Sequence, residues 1–452
     1  MVGDFFIINL RIKKALINDI NFRFFGVDLE KLYYSSGVLL SQKLIEIFGD
    51  KKTYAFVCGL GGNAADGIST AIELAKRKID VSVYIIGRVN YSPSTIFKDL
   101  FLELDELKPL YKNLHIKQEC YAEDILQSDI TVECLVGTGL DGLKLNKRFN
   151  DCISRISHFK SKIIAIDIPA PSYNPDLVIS LNYPKVDTAV TIEIPETRDA
   201  SYLCGPGEVK FLFNSKQKTH KAKNGKVLYI SSTERKDEFD GIQSAAKAYS
   251  CDLNIYNFNS NLKTVHGLNF ISDLEIEKYY NESDAIIIGR IDEPSLINKN
   301  LIKFLINLDK TKKIVVTWHL VEMLGSFKDL EMLKEGILVL NRTTIDSALK
   351  DYGISERSLS QVTQTNIFFG GFQNTLYSRD GDSKLNINAK LTKEDSAKVL
   401  ANLCGVLLTK NDAWLTLRSS VFLFEVASKL AIENKNIPEE NLKDSIDLCK
   451  EF

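Results

Sequence analysis

The 452-residue sequence has no C-x-x-C pair; its eight cysteines, at 58, 120, 134, 152, 204, 251, 404 and 449, are scattered, several in apolar surroundings. Such spacing argues against a disulfide framework and reads as buried thiols in a reducing cytoplasm. No sign of charge predominates either. Lys plus Arg number 57 and Asp plus Glu 59, a formal charge of -2, so no global field selects nucleic acid or an anionic membrane. No run of 18 apolar residues occurs, and the opening MVGDFFIINLRIKKAL lacks a long apolar stretch followed by small residues. A soluble, cytoplasmic protein that is not exported is the expectation. Walker A and G-x-S-x-G strings are absent, Ser and Cys nucleophiles have no adjacent base, and His319 has no second His or Cys at metal-ligand spacing.

What is present suits a globular chain with more than one core. Hydrophobic residues make up 44% and aromatics 10%, and the length exceeds what one core supports. The basic, polar stretch SKQKTHKAKN at 215–224 marks a boundary, giving domains 1–214 and 215–452. Its lysines, with Lys226, form a strip that reads as an interdomain connector. Trp318 and Trp414 follow strand or helix periodicity and read as packing residues.

In the first half, strands and helices alternate. The pattern predicts a helix over 30–49, strand 53–60, helix 65–78, strand 81–86, helix 97–107, strand 130–136, helix 146–158 and strands 162–168 and 186–192. That order implies a doubly wound parallel sheet, which binds ligands at the carboxyl ends of its strands where the strand order reverses. Three of those ends carry suggestive residues: GLGGNAADG at 59–67, E-C-L-V-G-T-G-L-D-G at 133–142, and D-I-P-A-P at 167–171. Glycine lets backbone approach a ligand, a helix start offers free N–H groups to an anion, and a strand-end carboxylate is a candidate acid or base. In the second half, strands are expected at 225–231, 252–258, 284–289, 312–319, 336–341 and 366–371, with helices at 241–250, 301–308, 394–410 and 413–434. The fold class is therefore α/β, two three-layer α/β/α domains.

CGLGGNAADG, VECLVGTGLDG and IAIDIPAP resemble the strings of the YjeF N-terminal, NAD(P)H-hydrate epimerase family (P-G-N-N-G-G-D-G, D-A-L-F-G-T-G-L-x-G, V-D-I-P-S-G) over residues 10–213. The resemblance implies a Rossmann-like domain in which Asn63 and Asp66 meet the substrate, Gly137, Thr138, Gly139, Leu140 and Gly142 wrap the dinucleotide phosphates, Asn63 and Glu133 hold potassium, and Asp167 is the catalytic acid or base. The departures are Gly62 for the first Asn, Ala64 and Ala65 for the two glycines, Glu133 for the potassium-binding Asp, and Ala170 for the Ser. Each alanine is expected to place a Cβ where backbone would approach the ligand, and the loss of Ser and lengthening of Asp to weaken the cation shell.

The order HKAKNGKVLYIS, FDGIQSAAKA, DAIIIG and KKIVVTWH resembles the ribokinase-like, ADP- or ATP-dependent NAD(P)H-hydrate dehydratase, the YjeF C-terminal domain, over residues 215–440. His220, Lys221, Gly225, Gly241, Asp284 and Gly289 match its framework. Its chemical strings do not match. G-P-G-L-G is Gly289 to Glu293, D-A-D-A-L is Thr317 to Val321, H-P-G-E is Asn341 to Thr344, the lysine of V-L-K-G is Phe369 or Gly370, and G-T-G-D is Asp395-Ser396-Ala397-Lys398. Converging glycine amides and a carboxylate cannot be replaced by a lysine of opposite charge. The expectation is an N-terminal domain that binds and epimerises hydrated NAD(P)H beside a catalytically dead second domain that takes neither ADP nor ATP. The alternatives are a non-catalytic interaction protein and a fully bifunctional enzyme; a homo-oligomer is expected, with no membrane or nucleic-acid partner.

Overall fold

The computed structural model describes residues 2–138, 145–171, 173–213, 224–258, 264–292, 311–317, 336–342, 353–371, 373–386 and 394–451, with a few single residues and pairs between 300 and 350. The side chains of 2–10 and 394–396 lie outside the description. Two compact units result, Met1–Ser201 and Tyr202–Phe452.

The first unit holds a seven-stranded, all-parallel sheet: β1 Tyr54–Cys58, β2 Val81–Ile85, β3 Leu114–Lys117, β4 Ile130–Cys134, β5 Lys162–Ile166, β6 Leu177–Leu181 and β7 Val190–Ile192. The strand order is β3-β2-β1-β4-β5-β6-β7, so the order reverses between β1 and β4, as the glycine turns predict. Burial of β1 on both faces explains its unbroken apolar run. On one side Phe56, Val83 and Val132 pack with helices α2 (Leu29–Phe48), α3 (Gly62–Lys76) and α4 (Thr95–Leu107); on the other, Ala55, Val57 and Ile86 meet Ile153 and Ile156 of α5 (Lys147–Ser157). The expected helices and strands are present with shifted ends. Unforeseen were α1 (Val2–Phe24), β3 and β6.

Helix α3 sits unusually close to the sheet. Cys58 and Cys134 are register partners, and a Cβ on Gly67 would lie 2.6 Å from Cys134 Sγ and 3.2 Å from Cys58 Sγ. Only glycine permits that seat, and it lowers the first turn of α3 onto the ends of β1 and β4.

The second unit holds a nine-stranded sheet, β10-β9-β8-β11-β12-β13-β14-β15-β16, from β8 Lys226–Ser232, β9 Asp252–Asn257, β10 Asn269–Phe270, β11 Ala285–Ile291, β12 Lys313–Thr317, β13 Ile337–Asn341, β14 Asn366–Gly370, β15 Asn374–Tyr377 and β16 Ser383–Asn386. Strands β8 to β14 are parallel; β15 and β16, not foreseen, close the edge as an antiparallel hairpin. One face carries a core of Leu228, Ile286, Val316 and Leu338. The helix Glu394–Leu408 covers the other, so close that a Cβ on Gly405 would strike Ile287 Cδ1 at 2.1 Å.

The division falls between Ser201 and Tyr202, ahead of the expected boundary at 214/215, because the helix Pro206–Phe213 joins the second unit. Its buried Glu208 lies 3.2 Å from Arg418 and 3.8 Å from Lys384. Residues 214–223, including His220 and Lys221, lie outside the described residues.

Gly67→Ala is expected to destabilise the first unit by about 1–3 kcal/mol through overpacking. Adding Cys134→Ala should recover part of the loss. Denaturation midpoints of the two variants check this, and an unchanged midpoint for the single variant would show that α3 is free to shift.

Candidate functional site

Residues from several segments meet at the carboxyl edge of the first sheet. The first is the start of α3. Gly61 is its N-cap without a side-chain cap, leaving the first-turn amides to other partners. Asn63, 8% exposed, donates from Nδ2 to Val136 O and, at 3.1 Å, to Ile166 O, the carbonyls at the ends of β4 and β5. Its Oδ1 is buried, and no donor among the described residues reaches it. Gly137 stands directly beside it, where a Cβ would lie 3.2 Å from Asn63 Cβ.

Ala64 and Ala65 depart from expectation. Both sit within the first turn of α3, neither has a positive φ, and both belong to the apolar core. Their methyls therefore face packing, and the obstruction expected from them does not arise. Space near the turn is limited instead at Gly62, where a Cβ would lie 2.8 Å from the Tyr33 hydroxyl.

Asp66, one turn further along α3, is buried and accepts a 2.6 Å hydrogen bond from Ser36 Oγ on α2. Burial, reinforced by the negative charge of Asp167 and opposed by the Ser36 bond, pushes its carboxyl up to about 8. Asp167 follows β5 with φ +63, a left-handed conformation that Asp tolerates better than most residues. Its backbone N–H donates to Ile179 O at 2.8 Å, and its Oδ1 accepts from Leu181 N–H at 2.8 Å and from Lys185 Nζ at 2.7 Å. Lys185 is 4% exposed and also donates to Leu181 O at 2.5 Å. Asp19 of α1 completes the cluster. Exposed at the surface yet crowded by protein on its other sides, its carboxyl is pushed up to about 6 by burial, against the pull of Lys185. Of these three carboxyls, Asp167 makes the direct contact with the buried Lys185 ammonium.

Glu133 lies apart from that group. It is fully buried at the end of β4; Oε1 accepts from the N–H groups of Leu135 at 2.7 Å and Val136 at 3.3 Å, and Oε2 from Ala170 N–H at 3.1 Å and Tyr173 O–H at 3.0 Å. Desolvation pushes its carboxyl up to about 7, against these four bonds.

The structure therefore brings together Asn63, Asp66, Gly137 and Asp167 near the strand-order reversal. Thr138 follows Gly137 directly, while Gly139, Leu140 and Gly142 lie outside the described residues. Sequence reading missed Lys185, Asp19, Tyr33, Ser36 and Tyr173. The N-D-I-N run inside the apolar stretch 15–22 and the lysine after Pro184 were the available signals.

In the second unit, the order reverses between β8 and β11. Near it, Lys398 Nζ lies 3.2 Å from Asp237 and 4.0 Å from Glu238, and Arg235 pairs with Asp237 at 3.0 Å. The carboxyl of Asp237 is held low, chiefly by Arg235 and also by Lys398, while burial raises that of Glu238. Framework glycines are dictated by packing: a Cβ on Gly289 would meet the Tyr229 hydroxyl at 2.1 Å, and one on Gly225, at φ +106, would meet Asp284 Oδ2 at 2.7 Å. Trp318, His319, Glu293, Thr343 and Thr344 lie outside the described residues. Among the described residues no helix is long and apolar enough to cross a membrane.

Residues 29–195 match the family model for the YjeF-related protein N-terminus. Over 94% of its length the chain is 23% identical to the bifunctional NAD(P)H-hydrate repair enzyme of Methanocaldococcus jannaschii, covering 89% of that protein. It is 29% identical to the NAD(P)H-hydrate epimerase of Elusimicrobium minutum over 32% of this chain and 67% of that one. The ADP/ATP-dependent NAD(P)H-hydrate dehydratase of Bacillus subtilis aligns over 55% of this chain and 97% of its own, at 13% identity and a TM-score of 0.38, which adds nothing to what the strand order shows. Residues 29–195 thus carry a YjeF-related N-terminal domain, and the chain along most of its length is similar to a bifunctional NAD(P)H-hydrate repair enzyme.

Proposed function

We propose that the first unit binds hydrated NAD(P)H and interconverts its epimers, and that the second unit no longer dehydrates it. The observation that carries the first half is the Asp167–Lys185 pair at the sheet edge, beside the unpartnered Asn63 Oδ1. Interconverting epimers at a hydroxyl-bearing carbon requires a bond there to break and re-form on the other face, with a proton removed and returned. One positioned carboxyl serves both steps. Lys185 sets a positive charge 2.7 Å from Asp167 and fixes its direction, while Asp66, raised by burial, keeps its proton at neutral pH and so limits the charge beside it. Asn63 Oδ1 is free to accept a hydrogen bond from the substrate.

Potassium, which the resemblance implies, is poorly matched by these residues. The lone-pair sites of Glu133 are taken by four donors and Ala170 has no side-chain oxygen.

The ion pairs of Lys398 favour a second reading for the second unit, that of a non-catalytic structural or interaction domain. A lysine paired with two carboxylates, where a dehydratase presents amides and a catalytic carboxylate, repels neither water nor protein but offers no acid and no anion hole.

Purified protein incubated with one epimer of hydrated NADPH should interconvert it, followed by chromatography. Asp167→Asn is expected to slow this by about 100-fold or more. Lys185→Met should lower kcat with little change in KM, because Asp167 loses the contact that directs its carboxylate, and Lys185→Arg should restore part of the loss. Rates equal to buffer in the wild type would remove the activity. ADP or ATP should give no thermal shift and no NADPH from the hydrate.

Stability should also depend on pH. The Asp66 carboxyl rises from 3.8 to about 8 in the folded state, so folding takes up protons between those values. Stability from this group is complete below about 4 and lost as pH rises through about 8. Denaturant midpoints should fall over that window, and Asp66→Asn should flatten the upper part; a midpoint that climbs through it would contradict the assignment.

A further inference from the structure

Glu133 stands where the resemblance calls for a cation-binding aspartate, and the structure gives its carboxylate other work. Its two oxygens bridge three stretches of chain: the residues after β4, through Leu135 and Val136 N–H; the turn after Asp167, through Ala170 N–H; and the Tyr173 hydroxyl beyond it. An ionised carboxylate has about four lone-pair sites, and each of these is matched by one donor. A cation at Glu133 would have to displace at least one of them and sit against N–H dipoles whose positive ends point at the same oxygens. The side chains of Ala170 and Asn63 add little in its place. Ala170 is buried and contributes a methyl, while Asn63 spends Nδ2 on Val136 O and Ile166 O, which leaves Oδ1 alone without a donor among the described residues. One amide oxygen does not replace the hydration shell of a hard cation, which takes several oxygens at once.

We infer that the Glu133 carboxylate replaces a bound cation in this chain: its added methylene lets it reach the amides directly, and the loops after β4 and β5 are tied by hydrogen bonds without potassium. The longer arm is the physical reason. An aspartate at the same strand position ends one carbon short, a gap that a cation or water can fill, whereas glutamate spans it. The tie matters because the two loops it joins lead to Gly137 on one side and follow Asp167 on the other.

The inference does not rest on the proposed epimerase activity, and its test needs no turnover. Thermal unfolding of the full chain is followed by circular dichroism in potassium chloride and in choline chloride at equal ionic strength. The wild type should melt at the same temperature in both. Glu133→Gln is isosteric but turns one acceptor into a donor facing a donor, so its melting temperature should fall by several degrees in both salts. A melting temperature that rises in potassium but not in choline, as ligand linkage demands of a saturable site, would overturn the inference. So would a Glu133→Gln variant that melts with the wild type. An inactive protein whose melting ignores potassium upholds the clamp while removing the activity proposed above.

Discussion

The position of α3 depends on one close contact. Because residue 67 has no side chain, the helix settles against the thiols of Cys58 and Cys134, and its first turn comes down over the ends of β1 and β4. Asn63 can then reach the carbonyls of Val136 and Ile166 at once. Those two bonds fix the amide's orientation, since Nδ2 must face the carbonyls, and Oδ1 is thereby left as the unpartnered acceptor. Asp66, one turn along the same helix, is buried by the same descent. A helix standing an ångström or two higher would leave Asn63 solvated and Asp66 with an ordinary acidity.

The charges of the site follow from that burial. Asp167 keeps a lysine and a backbone amide, Asp66 has only a serine hydroxyl, and Asp19 faces both from α1. Asp167 has the direct contact with the ammonium, while burial raises Asp66 to about 8 and Asp19 to about 6. The arrangement separates roles without any difference in residue type. Glu133 shows the opposite use of a buried carboxyl: it is saturated by donors and has become part of the scaffold.

Much of this was legible in the sequence, and the limits have physical causes. The apolar runs of β1, β2, β4 and β5 announce a buried parallel sheet, and the glycine turns after β1 and β4 locate the reversal. The short strand β3, with His115 and Lys117 exposed, carries little apolar signal of its own, and β6 sits close behind a proline-rich turn. The boundary at 214 followed composition, yet the contacts of Glu208 with Arg418 and Lys384 join sequence-distant residues and leave no local trace. Asp167, Asn63 and Asp66 were recognisable because they lie in glycine- or proline-marked strings. Lys185 was not, since a lysine after proline usually marks a solvated turn and only the fold carries it to Asp167. Ala64 and Ala65 were misjudged for a related reason: a string aligned with a glycine loop suggests an approach path, while the helix begins early enough to turn both methyls into the core.

The second unit shows why a surviving sheet is weak testimony about chemistry. Gly225, Gly289 and Gly405 are each required by a neighbour that a Cβ would strike, be it a carboxylate, a tyrosine ring or an isoleucine on β11. Replacing any of them costs stability whether or not a nucleotide ever binds. The residues of an anion hole and a general base have no such constraint, because only the ligand and the reaction require them. Near the strand-order reversal the half-buried Lys398 sits between Asp237 and Glu238. Framework matches therefore report on packing, and the side chains at the strand-order reversal report on function.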